Sequence, residues 1–150
     1  MPNLTANQKA FLDTISVSEG TYGKGDDGYN VIVGGDLFTD YSDHPRRLVE
    51  LPRLGIKSTA AGRYQLLERY FDYYKAQLRL PDFSPDSQDL IALQQIKERK
   101  ALDDIESGDI QSALVKCSNI WASLPGNNYG QHENKMAALL ETYDQFSRQA

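Results

Sequence analysis

Residues 5–20 have the sequence TANQKAFLDTISVSEG, which predicts the first helix of the chain. Thr5 and Gln8 lie three residues apart, which is the spacing of a capping box, so we predict that a helix begins near Thr5. Gly20 and Gly23 are suited to the end of that helix, because glycine readily adopts the left-handed conformation found there. This segment therefore predicts one well-delimited helix.

Glu19 is the residue of this helix with catalytic potential. It continues the apolar face of Leu12 and Ile15 at the carboxyl end of the helix. Partial burial would disfavour the ionised carboxylate, and the negative end of the helix dipole would act in the same direction. We therefore expect a raised pKa for Glu19, as a general acid near neutral pH requires. A surface glutamate at a frayed helix end is the alternative interpretation.

Outside this helix the patterns predict an α+β fold, mainly helical, with one small β-sheet near the N-terminus. Residues 29–41, with the sequence YNVIVGGDLFTDY, predict a small hairpin or sheet in which Gly34 and Gly35 mark the turn or a bulge. A helical period begins at Ala60, and Ser84-Pro85 is typical of an N-cap followed by proline at the first helical position.

Four more helices follow in the second half of the chain. Residues 89–96 are apolar nearly all round, which predicts a central buried helix. Gly108 ends a short helix, and Asp109 can cap the next. The apolar stripes of the helices after residue 60 consist of Leu67, Tyr70, Phe71, Tyr74 and Leu78, then Ile110, Ala113, Leu114, Cys117 and Trp121, then Met136, Leu139, Leu140, Tyr143 and Phe146.

Composition places this chain of 150 residues among globular proteins, with 40% hydrophobic and 25% charged residues, and we expect one domain over residues 1–150. A net charge of −5 argues against a general nucleic-acid binder. The pattern predicts neither a transmembrane helix nor a signal peptide, and hence no stable membrane insertion. Cys117 has no cysteine partner, and no metal-ligand spacing or nucleotide motif occurs, so we expect no cofactor and no metal.

Residues 46–63 form a basic stretch within this acidic composition. Glu50 is the only acidic residue among them. Solvated loop charge is one interpretation, and attraction to an anionic substrate is the other. The basic residues are Arg46, Arg47, Arg53, Lys57 and Arg63.

Six segments carry a resemblance to a known family. In chain order they are SEG at 18–20, YNVIVGGDLFTDYSDHP at 29–45, STAAGRYQLL at 58–67, DFSP at 82–85, ALQQIKER at 92–99 and CSNIWASLPG at 117–126. Together they closely resemble the phage lambda endolysin family. The resemblance implies a lysozyme-like fold with a cleft between two lobes. It also implies a soluble lytic transglycosylase that cuts the β-1,4 bond between N-acetylmuramic acid and N-acetylglucosamine of peptidoglycan.

The resemblance also assigns roles and a setting. The glutamate of SEG is Glu19, which would be the catalytic residue. Gly62 and Gln65 resemble the G-x-x-Q element of other lytic transglycosylases. Such enzymes accumulate in the host cytoplasm, reach the wall in the periplasm through a separate holin, and are expected here to act as monomers.

The chemistry that this family implies needs one carboxyl group. Glu19 would protonate the leaving oxygen, and the substrate's 2-acetamido group would stabilise the cationic centre. The glutamate would then take the proton of the C6 hydroxyl as a 1,6-anhydro ring closes. A hydrolytic muramidase would instead need a second carboxylate. The candidates for it are Asp27 or Asp26, then Asp36 and Asp40. A non-catalytic glycan-binding module would need no Glu19.

Further residues are candidates for binding the glycan. Asn30 stands where the resemblance leads us to expect aspartate, and it would hydrogen-bond the sugar or position Glu19. Core packing is an equal expectation for Trp121. The expected stacking platforms are Tyr64, Trp121 and Tyr129, and the expected hydrogen-bonding partners of the acetamido groups are Asn119 and Ser123.

Overall fold

The computed structural model describes residues 2–126 and 134–149 of the chain. The described part is mainly helical and contains one two-stranded sheet. Its elements are α1 (Ala6–Glu19), β1 (Val49–Leu51), β2 (Ile56–Ser58), α2 (Glu68–Leu78), α3 (Pro85–Glu98), α4 (Leu102–Ser107), α5 (Ile110–Lys116) and α6 (Met136–Arg148). None of the helices in these two ranges is long and apolar enough to cross a membrane.

Helix α1 has the ends that its sequence predicts. The Thr5 side chain accepts a hydrogen bond from the Gln8 amide, and the Gln8 side chain accepts one from the Thr5 amide, which completes the capping box. Gly20 ends the helix at φ +78°, a left-handed conformation that a glycine adopts without steric cost. Glu19 is therefore the last helical residue.

The described residues fall into two compact units. The first, which we name the helical unit, takes up the chain to Gly20 and again from Ala92 onward. The second, the hairpin unit, is Thr21–Ile91, so that the boundary falls inside α3. In the helical unit α1 packs against α6 and α4, and α5 packs against α4 and α6. Phe11, Ile15 and other fully buried side chains form its core.

The hairpin unit contains the small sheet, whose existence is confirmed and whose predicted position is wrong. Strands β1 and β2 pair antiparallel, with Val49 opposite Ser58. Residues 29–41 form only isolated bridges, between Val31 and Leu37 and between Ile32 and Ala61. They form no ladder because Gly34 and Gly35 turn the chain at φ +92° and +110°, and the segment then bonds to residues around Ala61.

Helix α2 begins at Glu68, eight residues later than the helical period beginning at Ala60 predicted. Ala61 bridges to both Ile32 and Leu66, which holds this segment in an extended and turning path. Gly62 and Gln65 also have positive φ, of +85° and +53°, which an α-helix does not contain. Tertiary pairing has overridden the local helical pattern here.

An aromatic cluster forms the core of the hairpin unit. Phe71 and Phe83 meet edge to face with ring centroids 5.1 Å apart. Ala61, Tyr74 and Ile91 complete the buried cluster. Of the five stripe residues predicted for this region, Phe71 and Tyr74 are buried, whereas Tyr70 is 44% exposed.

The beginnings of α3 and α5 and the end of α4 follow the sequence, whereas α5 ends at Lys116, before the predicted stripe residues Cys117 and Trp121. Helix α3 begins at Pro85, directly after Ser84. Gly108 ends α4 at φ +84°. The Asp109 side chain accepts a hydrogen bond from the Ser112 amide at 3.2 Å and caps α5, as expected.

Candidate active site

The site is built around Glu19, at the carboxyl end of α1. The residue is partly buried, and the Ser123 hydroxyl donates a hydrogen bond to its Oε2 over 2.5 Å. Burial raises the pKa of Glu19 to about 7, although the hydrogen bond from Ser123 acts in the opposite direction by stabilising the ionised form. The carboxyl group is therefore able to give and to take a proton near neutral pH.

Two further residues extend the contact between Glu19 and Ser123. The hydroxyl oxygens of Ser18 and Ser123 lie 2.7 Å apart, and the Asn134 side-chain nitrogen donates to the Ser18 hydroxyl over 2.9 Å. The Asn134 main-chain amide donates to the Ser123 carbonyl over 2.8 Å. Ser18 and Asn134 could not be recognised as site residues from the sequence, because they lie 116 residues apart and share no local pattern.

Ser123 therefore has a role that the sequence did not indicate. The sequence predicted a hydrogen bond from Ser123 to an acetamido group of the substrate, and the structure shows that its hydroxyl also contacts Glu19. The contact with Glu19 joins residues 104 positions apart, which no motif predicts. A contact between Ser123 and the sugar stays a prediction.

The other candidates of the helical unit differ in exposure. Trp121 is 3% exposed and belongs to the core, so its burial favours packing over stacking on a sugar ring. Asn119 is exposed, and its carboxamide lies beside Arg99 and the Lys116 carbonyl. Tyr129 lies outside the described residues. Glycan contacts of these three residues stay predictions.

In the hairpin unit, Tyr64 belongs to a buried polar network. Its hydroxyl donates to Asp89 over 2.6 Å, and the Tyr29 hydroxyl donates to the same carboxylate over 3.0 Å. Burial raises the pKa of Asp89, and the two hydrogen bonds act against that rise. The Arg63 guanidinium lies 5.3 Å from the centre of the Tyr29 ring. At 5% exposure Tyr64 has little open ring face, and stacking on a sugar stays a prediction.

The G-x-x-Q element forms a turn closed by its own hydrogen bonds. The Gln65 side chain donates to the carbonyls of Gly62 and Val31 over 2.9 and 3.2 Å. Gly62 is required here, because a Cβ would lie 2.9 Å from atoms of both Gln88 and Phe83. The structure therefore gives both residues a positioning role for this loop.

Asn30 is buried, and both ends of its carboxamide bond to the backbone of its own loop. Its side-chain oxygen accepts from the Asp26 amide over 2.9 Å, and its side-chain nitrogen donates to the Phe38 carbonyl over 3.0 Å. The nitrogen of an asparagine supplies the second bond, which an ionised aspartate could not donate. A sugar contact of Asn30, or an effect on Glu19, stays a prediction.

Each candidate second carboxylate already has a partner within the hairpin unit. Asp27 accepts from the Gly23 amide over 3.0 Å and pairs with Arg63 over 3.3 Å. Asp26 accepts from the Tyr41 hydroxyl over 2.8 Å. The remaining two pairs are Asp36 with Arg47 and Asp40 with the Ser42 amide.

Acids from other parts of the hairpin unit pair with the basic stretch. Arg46 contacts three carboxylates, at distances of 2.6 to 3.1 Å. These contacts favour the interpretation of structural charge for Arg46, which a sequence window with Glu50 as its only acid did not reveal. The three carboxylates belong to Asp43, Glu68 and Asp72.

Neither metal nor thiol chemistry has support in the described residues. No group of three or more His, Cys, Asp or Glu side chains there is placed to hold a metal ion. Cys117 is fully buried, and burial raises the pKa of its thiol to about 12, which keeps it protonated and unreactive.

Comparisons with known proteins identify the family. The endolysin family model matches residues 9–149. An endolysin of Escherichia phage lambda is 58% identical over 148 residues, which cover 95% of this chain and 92% of the relative. An endolysin of Escherichia phage P2 is 49% identical over 157 residues, which cover 95% of both chains.

Solved structures match the fold as well. Bacteriophage lambda lysozyme complexed with a chitohexasaccharide aligns with a TM-score of 0.92 at 56% identity, over 97% of each chain. A second structure, of lysozyme from bacteriophage lambda, aligns with a TM-score of 0.88 at 56% identity, again over 97% of each chain. The expected lysozyme-like fold is confirmed, and the class is that of enzymes acting on peptidoglycan. The chain belongs to the endolysin family, in its lambda type, which lyses the bacterial cell wall.

Proposed function

We propose that this endolysin is a lytic transglycosylase that cleaves the β-1,4 bond between N-acetylmuramic acid and N-acetylglucosamine and leaves 1,6-anhydro ends. The observation that carries the proposal is the Glu19 carboxyl group, whose pKa is about 7 and whose Oε2 accepts the Ser123 hydrogen bond. A group with this pKa is present in both protonation states at neutral pH. One residue can therefore serve as acid and then as base.

The reaction needs no second carboxylate. Neutral Glu19 gives its proton to the glycosidic oxygen as the bond from C1 to that oxygen breaks, and the 2-acetamido oxygen bonds to C1. The C6 hydroxyl oxygen then displaces the acetamido oxygen at C1. Ionised Glu19 takes the C6 hydroxyl proton, which restores the starting state of the enzyme without consuming water.

The partners of the aspartates favour this mechanism over the hydrolytic alternative. A hydrolase would need a carboxylate available as nucleophile or base. Asp27 is bonded to a backbone amide and paired with Arg63, and Asp26 accepts from Tyr41. Both side chains thus contribute to the structure of their own loop. The hydrolytic muramidase remains the second candidate, since it would share the substrate and Glu19.

The deciding experiment is mass spectrometry of the products from purified peptidoglycan. Muropeptides lighter by one water than reducing muropeptides would establish 1,6-anhydro ends. Reducing ends would overturn the transglycosylase in favour of hydrolysis. Glu19→Gln should abolish cleavage while binding to the wall persists, whereas retained cleavage would remove Glu19 from the mechanism. Asp27→Asn, which preserves the shape of the side chain, is the matched control.

The proposal also covers the setting in which the enzyme acts. Residues 1–150 form one catalytic domain that works as a monomer without a cofactor, in the host cytoplasm until a holin gives it access to the wall. Its partner is the glycan strand, in line with the sugar oligomer in the lambda lysozyme complex. Expression with and without a holin tests the setting, because lysis should require the holin. The proposed glycan contacts are Asn30, Gly62, Tyr64, Gln65, Asn119, Trp121, Ser123 and Tyr129.

A further inference from the structure

We propose that Asn134, Ser18 and Ser123 form a hydrogen-bond chain of fixed direction that positions the Glu19 carboxyl group and determines which of its two oxygens carries the acidic proton. This inference rests on the catalytic role proposed for Glu19. The three residues are positioning residues, because they act through Glu19.

The direction of the chain follows from its first member. The Asn134 side-chain nitrogen lies 3.3 Å from the Ser18 carbonyl oxygen as well as 2.9 Å from the Ser18 hydroxyl. A carbonyl oxygen can only accept, so the amino end of the carboxamide must face Ser18. That amino group can only donate, and the Ser18 hydroxyl oxygen therefore accepts.

The remaining hydroxyl protons then have one arrangement. Ser18 has a single hydroxyl proton, which is directed to the Ser123 oxygen 2.7 Å away. Ser123 in turn directs its own proton to Glu19 Oε2 over 2.5 Å. Every donor in the chain thus has an acceptor, and all of the donors are oriented toward Glu19.

The consequence concerns the two oxygens of the carboxyl group. Because Oε2 receives a proton from Ser123, Oε2 is the carbonyl-like oxygen when Glu19 is neutral. The acidic proton is then carried on Oε1. The Asn134 main-chain amide also bonds the Ser123 carbonyl over 2.8 Å, which holds Ser123 by its backbone as well as by its hydroxyl. The hydrogen-bond chain therefore holds Oε2 of Glu19 as an acceptor and leaves the acidic proton on Oε1.

The test measures the pKa of Glu19 directly, by carbon-13 NMR of the full chain labelled at glutamate carboxyl groups. Ser123→Ala should raise that pKa by about one unit, because it removes a hydrogen bond that favours the ionised form. Ser123→Thr keeps a hydroxyl and should restore the original value. Ser147→Ala, in α6, is the matched control, because the Ser147 hydroxyl bonds the Asp144 carbonyl. An unchanged pKa of Glu19 in Ser123→Ala would overturn the proposal. If Ser123→Ala does not fold, Ser18→Ala repeats the test.

Asn134→Asp tests the direction itself. A carboxylate at position 134 can only accept, so the Ser18 proton would turn to it and the Ser123 proton would turn to Ser18. Glu19 would lose its donor although Ser123 is still present. The pKa rise of Asn134→Asp should therefore be much smaller in a Ser123→Ala background than in the original chain. Simple addition of the two shifts would show a plain charge effect and overturn the directed chain.

Activity separates this inference from the proposed function. In Ser123→Ala the alkaline limb of the rate–pH profile should move to higher pH by the same amount as the measured pKa of Glu19 rises. A merely structural role would instead lower the rate at every pH. A shifted pKa in Ser123→Ala together with full lysis by Glu19→Gln would support the hydrogen-bond chain and contradict the catalytic role of Glu19. An inactive Glu19→Gln together with an unmoved pKa in Ser123→Ala would do the reverse.

Discussion

Replacement of Glu19 with glutamine should stabilise the folded chain at alkaline pH even as it abolishes activity. Burial raises the pKa of this carboxyl group from 4.5 to about 7, so the folded protein favours the neutral form. Stability from this group is fully present below pH 4.5 and is lost as the pH rises through about 7. Above that range the fold must hold a carboxylate that it would prefer to protonate, whereas glutamine stays neutral.

The size of the effect follows from the two pKa values. A difference of one pKa unit corresponds to about 1.4 kcal/mol. The rise from 4.5 to about 7 therefore lowers the free energy of unfolding by about 3 kcal/mol at pH 9. Glutamine matches the size of glutamate, and its side-chain oxygen can accept the Ser123 hydrogen bond, so little else should change.

Urea unfolding followed by circular dichroism, between pH 4 and pH 9, measures the difference directly. The free energy of unfolding of Glu19→Gln should equal that of the original chain near pH 4, exceed it by a margin that grows between about pH 4.5 and 7, and keep that margin up to pH 9. Glu141→Gln, at an exposed position in α6, is the matched control and should change stability by at most about 0.5 kcal/mol at any pH.

A constant difference in stability between pH 4 and pH 9 would contradict this prediction. It would mean that folding does not favour the neutral Glu19 carboxyl group. A raised pKa would then no longer support Glu19 as a general acid near neutral pH. A margin that grows in the opposite direction, with Glu19→Gln less stable at pH 9, would mean that the folded chain favours the carboxylate. Burial would then not be the dominant influence on the pKa of Glu19.

Three further changes test residues of the hairpin unit. Gly62→Ala should lower the free energy of unfolding by at least about 2 kcal/mol, because a Cβ would lie 2.9 Å from Phe83; Gly55→Ala, with positive φ but open space, should lower it by only about 1 kcal/mol in the same urea titrations. Asp27→Asn should keep lytic activity on peptidoglycan within a few-fold, and a loss of several orders of magnitude would favour the hydrolase. Arg46→Ala should destabilise by at most about 1 kcal/mol in dilute buffer, and an equal loss in molar salt would argue against its ion pairs.

Features encoded within a few residues could be predicted from the sequence. The capping box of Thr5 and Gln8, the end of α1 at Gly20 and the Asp109 cap of α5 each depend on hydrogen bonds across three or four residues. The place of Glu19 at the end of an apolar helix face likewise indicated a raised pKa. Such features are local, so the chain needs no tertiary contact to specify them.

Features that join distant segments could not be predicted in this way. Helix α2 begins at Glu68 because Ala61 pairs with Ile32, 29 positions earlier in the chain. The charge of Arg46 is compensated by acids up to 26 residues away, and Ser123 reaches Glu19 across 104 residues. Local sequence specifies the capped helix ends at Thr5, Gly20 and Asp109, because those hydrogen bonds span a single turn. The partners of the Glu19 carboxyl group depend on tertiary packing, which brings together side chains whose spacing along the chain carries no pattern.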